Sequence, residues 1–270
     1  MGRYKIIDIH THTYPEAISA KAVKSLAAFY DFTVDGNGTY AELEARSAAV
    51  GVTGFLLFSV ATNAHQVEKV NDSIAALAEK SREHGFETVG FAGMYQDYPD
   101  FEKEIDRVEK LGLRGVKIHP DIQRLDLLDK KMYELCEILE GRMPLYLHMG
   151  DNRPQYRYSE PKKLVKLLER FPKLEVVAAH LGGYMAWDEA VAELAGRPNV
   201  WYDTSSALWA MTPERAVELI HAYGTDRVMY GTDYPVKEPD DELSRFMRLD
   251  LTEKEREDIL YNNAKRFLKI

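Results

Sequence analysis

Six ionisable side chains, His10, His12, His119, His148, His180 and Asp233, all fall where short apolar runs end. Imidazoles grouped with one carboxylate suit a borderline divalent cation, and three or four protein ligands leave a position open for water. An ion held that way lowers the pKa of bound water towards roughly 7 and polarises a substrate carbonyl, so hydrolysis or hydration follows from it. Zinc heads the series this donor set suits, followed by manganese, iron and cobalt. Strand side chains alternate with a period of two, so His10 and His12 project to one side. His84 and His221 sit near helix ends, where an exposed imidazole meets the helix dipole, and read as structural, as does His65.

Residues so far apart in the chain need a scaffold that gathers strand ends. Apolar runs at 5–12, 53–61, 87–95, 114–119, 144–150, 174–182, 199–205 and 227–233 read as strands. Helical periodicity fills 40–50, 66–84, 100–111, 130–139, 161–171, 187–195, 213–222 and 253–268. Eight strands alternating with eight helices predict a single closed (β/α)8 TIM barrel over 1–270, with the metal site at its C-terminal face. An open doubly wound sheet uses the same units, but no Gly-rich fingerprint follows the first strand. Thr252 with Glu255 matches a capping box, Thr212-Pro213 offers a cap and a first-turn proline, and Gly85, Gly112 and Gly224 follow helix ends. Two connections stand out for length, 13–39, with a helix expected near 16–29, and 151–160. Both would lie at the catalytic face.

The bulk properties narrow the partners. A net charge of −9 argues against a nucleic-acid surface, which draws on clustered Lys and Arg. The single cysteine, Cys136, lies within a helical pattern and reads as a buried hydrophobe, consistent with a reducing cytoplasm. No signal peptide and no run long enough to span a membrane is visible, so a cytoplasmic protein acting on a small molecule is expected, with a homo-oligomer left open.

The ordered set Asp8-Ile9-His10-Thr11-His12, Leu147-His148, Ala179-His180-Leu181-Gly182-Gly183 and Tyr230-Gly231-Thr232-Asp233-Tyr234-Pro235 resembles the amidohydrolase superfamily. More narrowly, it is similar to the amidohydrolase-related branch that includes aminocarboxymuconate semialdehyde decarboxylase. The resemblance runs to Asn262-Asn263-Ala264-Lys265-Arg266-Phe267-Leu268 near the end of the chain. It implies that His10, His12, His148 and Asp233 bind one metal, that His180 is a catalytic histidine beside it, and that Asp233 doubles as a base. Binuclear relatives bridge two metals through a carboxylated lysine or a glutamate on the fourth strand. Lys117 occupies that strand here, but one metal is the preferred count.

For the substrate, the sequence offers His119 and the loop Asp151-Asn152-Arg153-Pro154-Gln155-Tyr156-Arg157-Tyr158. Guanidinium forks interleaved with aromatic faces suit a small carboxylate, with Arg157 the favoured anchor, Arg153 the alternative, and Tyr156 beside them. Tyr184 and Trp209 are candidate pocket walls. The leading expectation is hydrolysis of a carboxylate-bearing amide, cyclic amide or lactone. Non-oxidative decarboxylation of an unsaturated or aromatic acid comes second, and a catalytically inactive metal-binding protein third. A two-metal phosphoesterase is disfavoured because the fourth strand carries no glutamate.

Overall fold

Short runs rich in Val, Ile, Leu and Phe that are buried on both faces suit parallel strands covered by helices. The computed structural model describes residues 4–270 and shows these runs as parallel strands throughout. The first strand, Ile7–His12, pairs with the second, Gly54–Phe58, which pairs with Glu87–Gly90. The third barrel strand resumes as Ala92–Gly93, and Val116–Ile118, Leu145–Leu147, Val176–Ala178, Val200–Asp203 and Val228–Met229 follow in order. The ladder is carried across Phe91, whose N–H donates to Leu57 O at 2.9 Å while Ala92 N–H donates to Gly115 O at 2.8 Å.

Closure is made between the first and eighth strands. Ile9 N–H donates to Tyr230 O (2.9 Å), Asp233 N–H to His10 O (2.9 Å) and His12 N–H to Tyr234 O (2.7 Å). The open-sheet alternative has no such bonds, so the fold is the closed barrel. The capping box at Thr252 and the Thr212 cap are both formed. Gly85, Gly112 and Gly224 have φ of +92°, +79° and +90°, the left-handed region that favours glycine.

Several strands are shorter at their C-terminal ends than the apolar runs suggest. The run 174–182 yields Val176–Ala178 only, because His180, Leu181 and Gly182 turn through positive φ. A helix at Pro239–Met247 is additional to those read from the sequence, although its first-position proline and acidic first turn are helix-start signals. The apolar core lies in two layers. Inside the barrel, Ile7, Ile9, Leu56, Phe58, Phe91 and Tyr146 pack with Ala264, Phe267 and Leu268 of the last helix. The larger cluster, including the buried Cys136, fills the shell between strands and helices.

Strict alternation would put Ile9 and His10 on opposite faces. The pairing register slips between Asp8 and Thr11, which face Phe55 and Leu57, so the first strand carries one extra residue there. This bulge lets Ile7 and Ile9 fill the barrel floor while His10 and His12 meet the Phe58 ring above it.

One buried group makes a test of stability. Glu242 on the additional helix is fully buried, neither carboxyl oxygen has a hydrogen-bond partner, and the Arg245 Nε lies 3.7 Å away. Burial pushes its carboxyl up to about 8. A folded-state acid that holds its proton while the unfolded chain releases it at the ordinary value of 4.5 loses stability as pH rises between the two. Glu242→Gln is therefore expected to stabilise the protein by roughly 2–5 kcal/mol at about pH 9 and by little near pH 5. Urea unfolding across that range measures it. An advantage that does not grow with pH would mean that the carboxyl is ionised in the fold.

Candidate metal centre

The strand ends deliver their side chains through tight turns. His180, Ser206 and Asp233 have φ of +61°, +49° and +62°, a region non-glycine residues rarely occupy and one concentrated at functional sites. These turns are held in place by backbone and carboxylate contacts. Asp203 at the end of the seventh strand accepts the His180 N–H at 3.1 Å and the Ser205 N–H at 2.9 Å.

His10 Nε2, His12 Nε2 and Asp233 Oδ1 converge. Their separations are 3.2 Å between the imidazoles and 3.1 and 3.6 Å to the carboxylate. Ligands bonded at about 2.0–2.2 Å around one ion stand roughly 3.0–3.4 Å apart, so the triad has the spacing of a metal's ligand shell. Hydrogen bonds at the far side of His10 fix which nitrogen is bare. His10 Nδ1 lies 2.8 Å from Ser205 Oγ and 3.1 Å from Asp203 Oδ2, so that nitrogen carries the proton and Nε2 presents its lone pair.

The same reasoning applies to the next pair. His180 Nδ1 donates to the Ser205 carbonyl at 2.9 Å, and His148 Nε2 donates to the Gly150 carbonyl at 3.2 Å, since a carbonyl can only accept. Their remaining nitrogens, His180 Nε2 and His148 Nδ1, face each other at 2.9 Å with two lone pairs. Facing lone pairs call for a shared proton or a cation beside them. The donor set therefore fits a divalent ion. His148 is not within the tight triad; it joins through His180.

The electrostatics agree. Burial first, then the neighbouring charged groups, pushes His12 and His148 well below the usual imidazole range, and burial takes His180 down to about 4. Neutral imidazoles are what a metal requires. Burial opposes ionisation of Asp233 and Asp203, yet His10 holds both below the ordinary carboxylate range. His10 itself is raised: burial and Lys117 oppose its charge, but Asp233 and Asp203 outweigh them. These two carboxylates are the negative charge that a cation would meet.

Two further close groups occur, His10 with His180 and Asp203, and His119 with Asp121 and His148; in the latter the facing nitrogens are already committed. His119 Nδ1 accepts the Ile122 N–H at 3.2 Å, and His148 Nε2 is held by Gly150, so neither offers a lone pair. Lys117 Nζ lies 3.4 Å from His10 Nε2, over the Phe58 and Tyr146 rings at 4.7 and 4.5 Å from their centroids. Burial lowers its ammonium to about 8.

The two loop arginines meet acceptors of the chain itself. Arg157 is bound to Glu160 (3.0 Å) and lies 3.5 Å from Glu189, so its fork meets carboxylates of the chain itself. Arg153 grips Asp151 at 2.7–3.1 Å and donates to the Phe29 carbonyl at 2.6 Å. Its guanidinium also stacks on Tyr156, 4.3 Å from the ring centroid. Arg153 and Tyr156 thus clip the 151–160 loop to the first helix, while Arg157 ties the loop to Glu189 of the helix Trp187–Leu194. In the folded chain the guanidinium groups meet acceptors close in sequence, Asp151 and Glu160, and remote ones, the Phe29 carbonyl and Glu189.

Aromatic side chains line the approach. Tyr30, at the end of the helix Glu16–Tyr30, stacks on Phe32 (centroids 5.1 Å apart, planes 9°) and meets Tyr184 at 5.9 Å. Trp209 lies 6.0 Å from Phe32 and 6.4 Å from Tyr184, and Tyr184 is 6.1 Å from His180. Tyr184 and Trp209 are among the residues expected from the sequence, whereas Tyr30 and Phe32 are not. Asp203 is not among them either, although a carboxylate at a strand's C-terminal end is the same signal that singles out Asp233.

A closed (β/α)8 barrel with buried histidines and an aspartate at its C-terminal face defines a metal-dependent barrel enzyme. The chain belongs to the amidohydrolase family, whose sequence profile matches residues 7–270. It is 26% identical over 125 residues to the decarboxylase orsB of Emericella nidulans, a match covering 38% of this chain and 37% of that protein. Among solved structures it is similar to 5-carboxyvanillate decarboxylase of Novosphingobium aromaticivorans, complexed with manganese and 4-hydroxy-3-methoxy-5-nitrobenzoic acid. There the TM-score is 0.72 at 18% identity, over 99% of this chain and 97% of that one. It is also similar to a probable 2-pyrone-4,6-dicarboxylic acid hydrolase of Acinetobacter baumannii, with a TM-score of 0.70, 17% identity and coverage of 98% and 99%. At these identities the solved structures establish the shared fold. Among the described residues no helix is long and apolar enough to cross a membrane.

Proposed function

We propose that this protein is a metal-dependent, non-oxidative decarboxylase of a small aromatic or conjugated carboxylic acid. The observation that carries the reading is the cluster of Tyr30, Phe32, Tyr184 and Trp209 set beside the histidines, aromatic faces that suit a planar ring. The orsB match and the 5-carboxyvanillate decarboxylase likeness favour the same reaction. His10, His12 and Asp233 would hold one divalent ion, manganese or zinc, with His148 completing the set. When bound, that ion supplies a Lewis acid for the substrate's oxygens.

In decarboxylation the bond from the ring to the carboxylate carbon breaks, carbon dioxide leaves, and a proton takes its place on the ring carbon. Two side chains beside the cluster can hold that proton. His180 can do so only at Nε2, because its Nδ1–H is fixed on the Ser205 carbonyl. Asp233 keeps one oxygen on the imidazoles while the other accepts the Ser206 hydroxyl at 2.6 Å. The aromatic walls exclude water from the reacting carbon.

Hydrolysis of a carboxylate-bearing lactone is the second reading, favoured by the likeness to the 2-pyrone-4,6-dicarboxylic acid hydrolase and by Asp233 as a base. Screening hydroxylated benzoic acids and 2-pyrone carboxylates with manganese-loaded protein separates the two. Carbon dioxide release with one deuterium incorporated from D2O is the expected result. Ring opening without carbon dioxide would replace decarboxylation with hydrolysis.

A further inference from the structure

We infer that Tyr30 recognises an anionic oxygen of the substrate by donating its phenol proton, with His119 as the positioning residue that aims it. This rests on the aromatic-acid reading above and adds the group that binds the acid's charge. His119 Nδ1 accepts the Ile122 N–H and caps the short helix Pro120–Gln123, so the ring's single proton sits on Nε2. That proton points at the Tyr30 oxygen, 2.8 Å away. The imidazole cannot turn over without losing the cap, and it is stacked on His148 with centroids 3.9 Å apart and planes at 10°.

With a lone pair engaged by His119, the Tyr30 hydroxyl must send its own proton elsewhere. The His148 nitrogens stand at 3.4 and 3.5 Å, beyond the usual O–H distance, and neither is free: Nε2 donates to Gly150 and Nδ1 is directed at His180. The phenol proton is therefore left for a ligand bound beside the Phe32 and Tyr184 rings. Neither loop arginine takes this role in the ligand-free chain, since Arg153 is closed on Asp151 and Arg157 on Glu160. Trp209 adds a second neutral donor, an indole N–H that is buried without a partner. An acid bound here meets neutral donors and a metal in place of a guanidinium fork, and a phenol donating to a carboxylate or phenolate makes a short, charge-assisted bond.

The test uses metal-loaded protein and two probes of one shape, benzoate and neutral benzamide, titrated calorimetrically. Tyr30→Phe keeps the ring stacking and removes only the hydroxyl. It is expected to weaken benzoate by about 10- to 100-fold and benzamide by no more than about threefold, with metal content and thermal midpoint unchanged. His119→Asn keeps an acceptor for the Ile122 cap and removes the Nε2–H, and should weaken benzoate by a smaller factor while sparing benzamide. Benzoate binding unchanged in Tyr30→Phe, or equal weakening of both probes, overturns the assignment while the aromatic-acid reading stands. Wild-type protein that binds neither probe overturns that reading and the assignment together.

Discussion

Stripping the metal is expected to lower turnover by roughly 10³-fold or more, the factor that corresponds to several kcal/mol of charge stabilisation in the transition state. Protein purified without chelator should carry about one divalent ion per chain, held through His10 Nε2, His12 Nε2 and Asp233 Oδ1. Replacing His12 with Ala should reduce affinity for that ion by more than the roughly 10- to 100-fold that losing an outer partner costs. Elemental analysis of wild-type and variant protein, followed by restoration of activity with manganese or zinc, measures both effects. A reproducible stoichiometry near two would bring Lys117 in as a bridge, and no specific binding would remove the centre altogether.

His180→Asn should leave the metal in place and lower turnover by roughly 10²- to 10⁴-fold, the range of lost acid–base catalysis. Asparagine can keep a polar contact near the Ser205 carbonyl but cannot hold an exchangeable proton where His180 Nε2 faces His148. His180 lies outside the triad of His10, His12 and Asp233 but close to His10 and Asp203, so its replacement tests whether chemistry separates from metal binding. Metal content measured beside kcat decides the point. A variant that loses its ion would place His180 among the ligands, and one that retains full activity would leave Asp233 as the side chain that moves the proton.

The barrel was legible because its signal is local and repeated eight times. Each strand is an apolar run and each helix an amphipathic one, and their alternation leaves few ways to bury every face. Strand-end histidines were legible for the same reason: a residue's place at the end of a run is written in its immediate neighbours. His10, His12, His148, His180 and Asp233 all carry this local signal, which does not depend on the contacts between them. Asp203 carries the same signal. Its importance rests on the hydrogen bond to His10, 193 residues away in sequence.

Other features exist only through partners. The bulge in the first strand is an extra residue relative to the strand beside it, so the first strand's own alternation cannot display it. Tyr30, at the end of the first helix, gains its proposed role from His119, just beyond the fourth strand and 89 residues on. The loop arginines looked like an anion anchor because composition shows which groups are charged but not which charge they meet. Arg153 found Asp151 and the Phe29 carbonyl, and Arg157 found Glu160 and Glu189. The sequence by itself determined the barrel, the end of it where the histidines gather and most of the candidate metal-binding side chains, because periodicity and chain order fix these. Only the tertiary structure decided tautomers, ion-pair partners and the aromatic cluster, because each depends on which atoms lie close to one another through space.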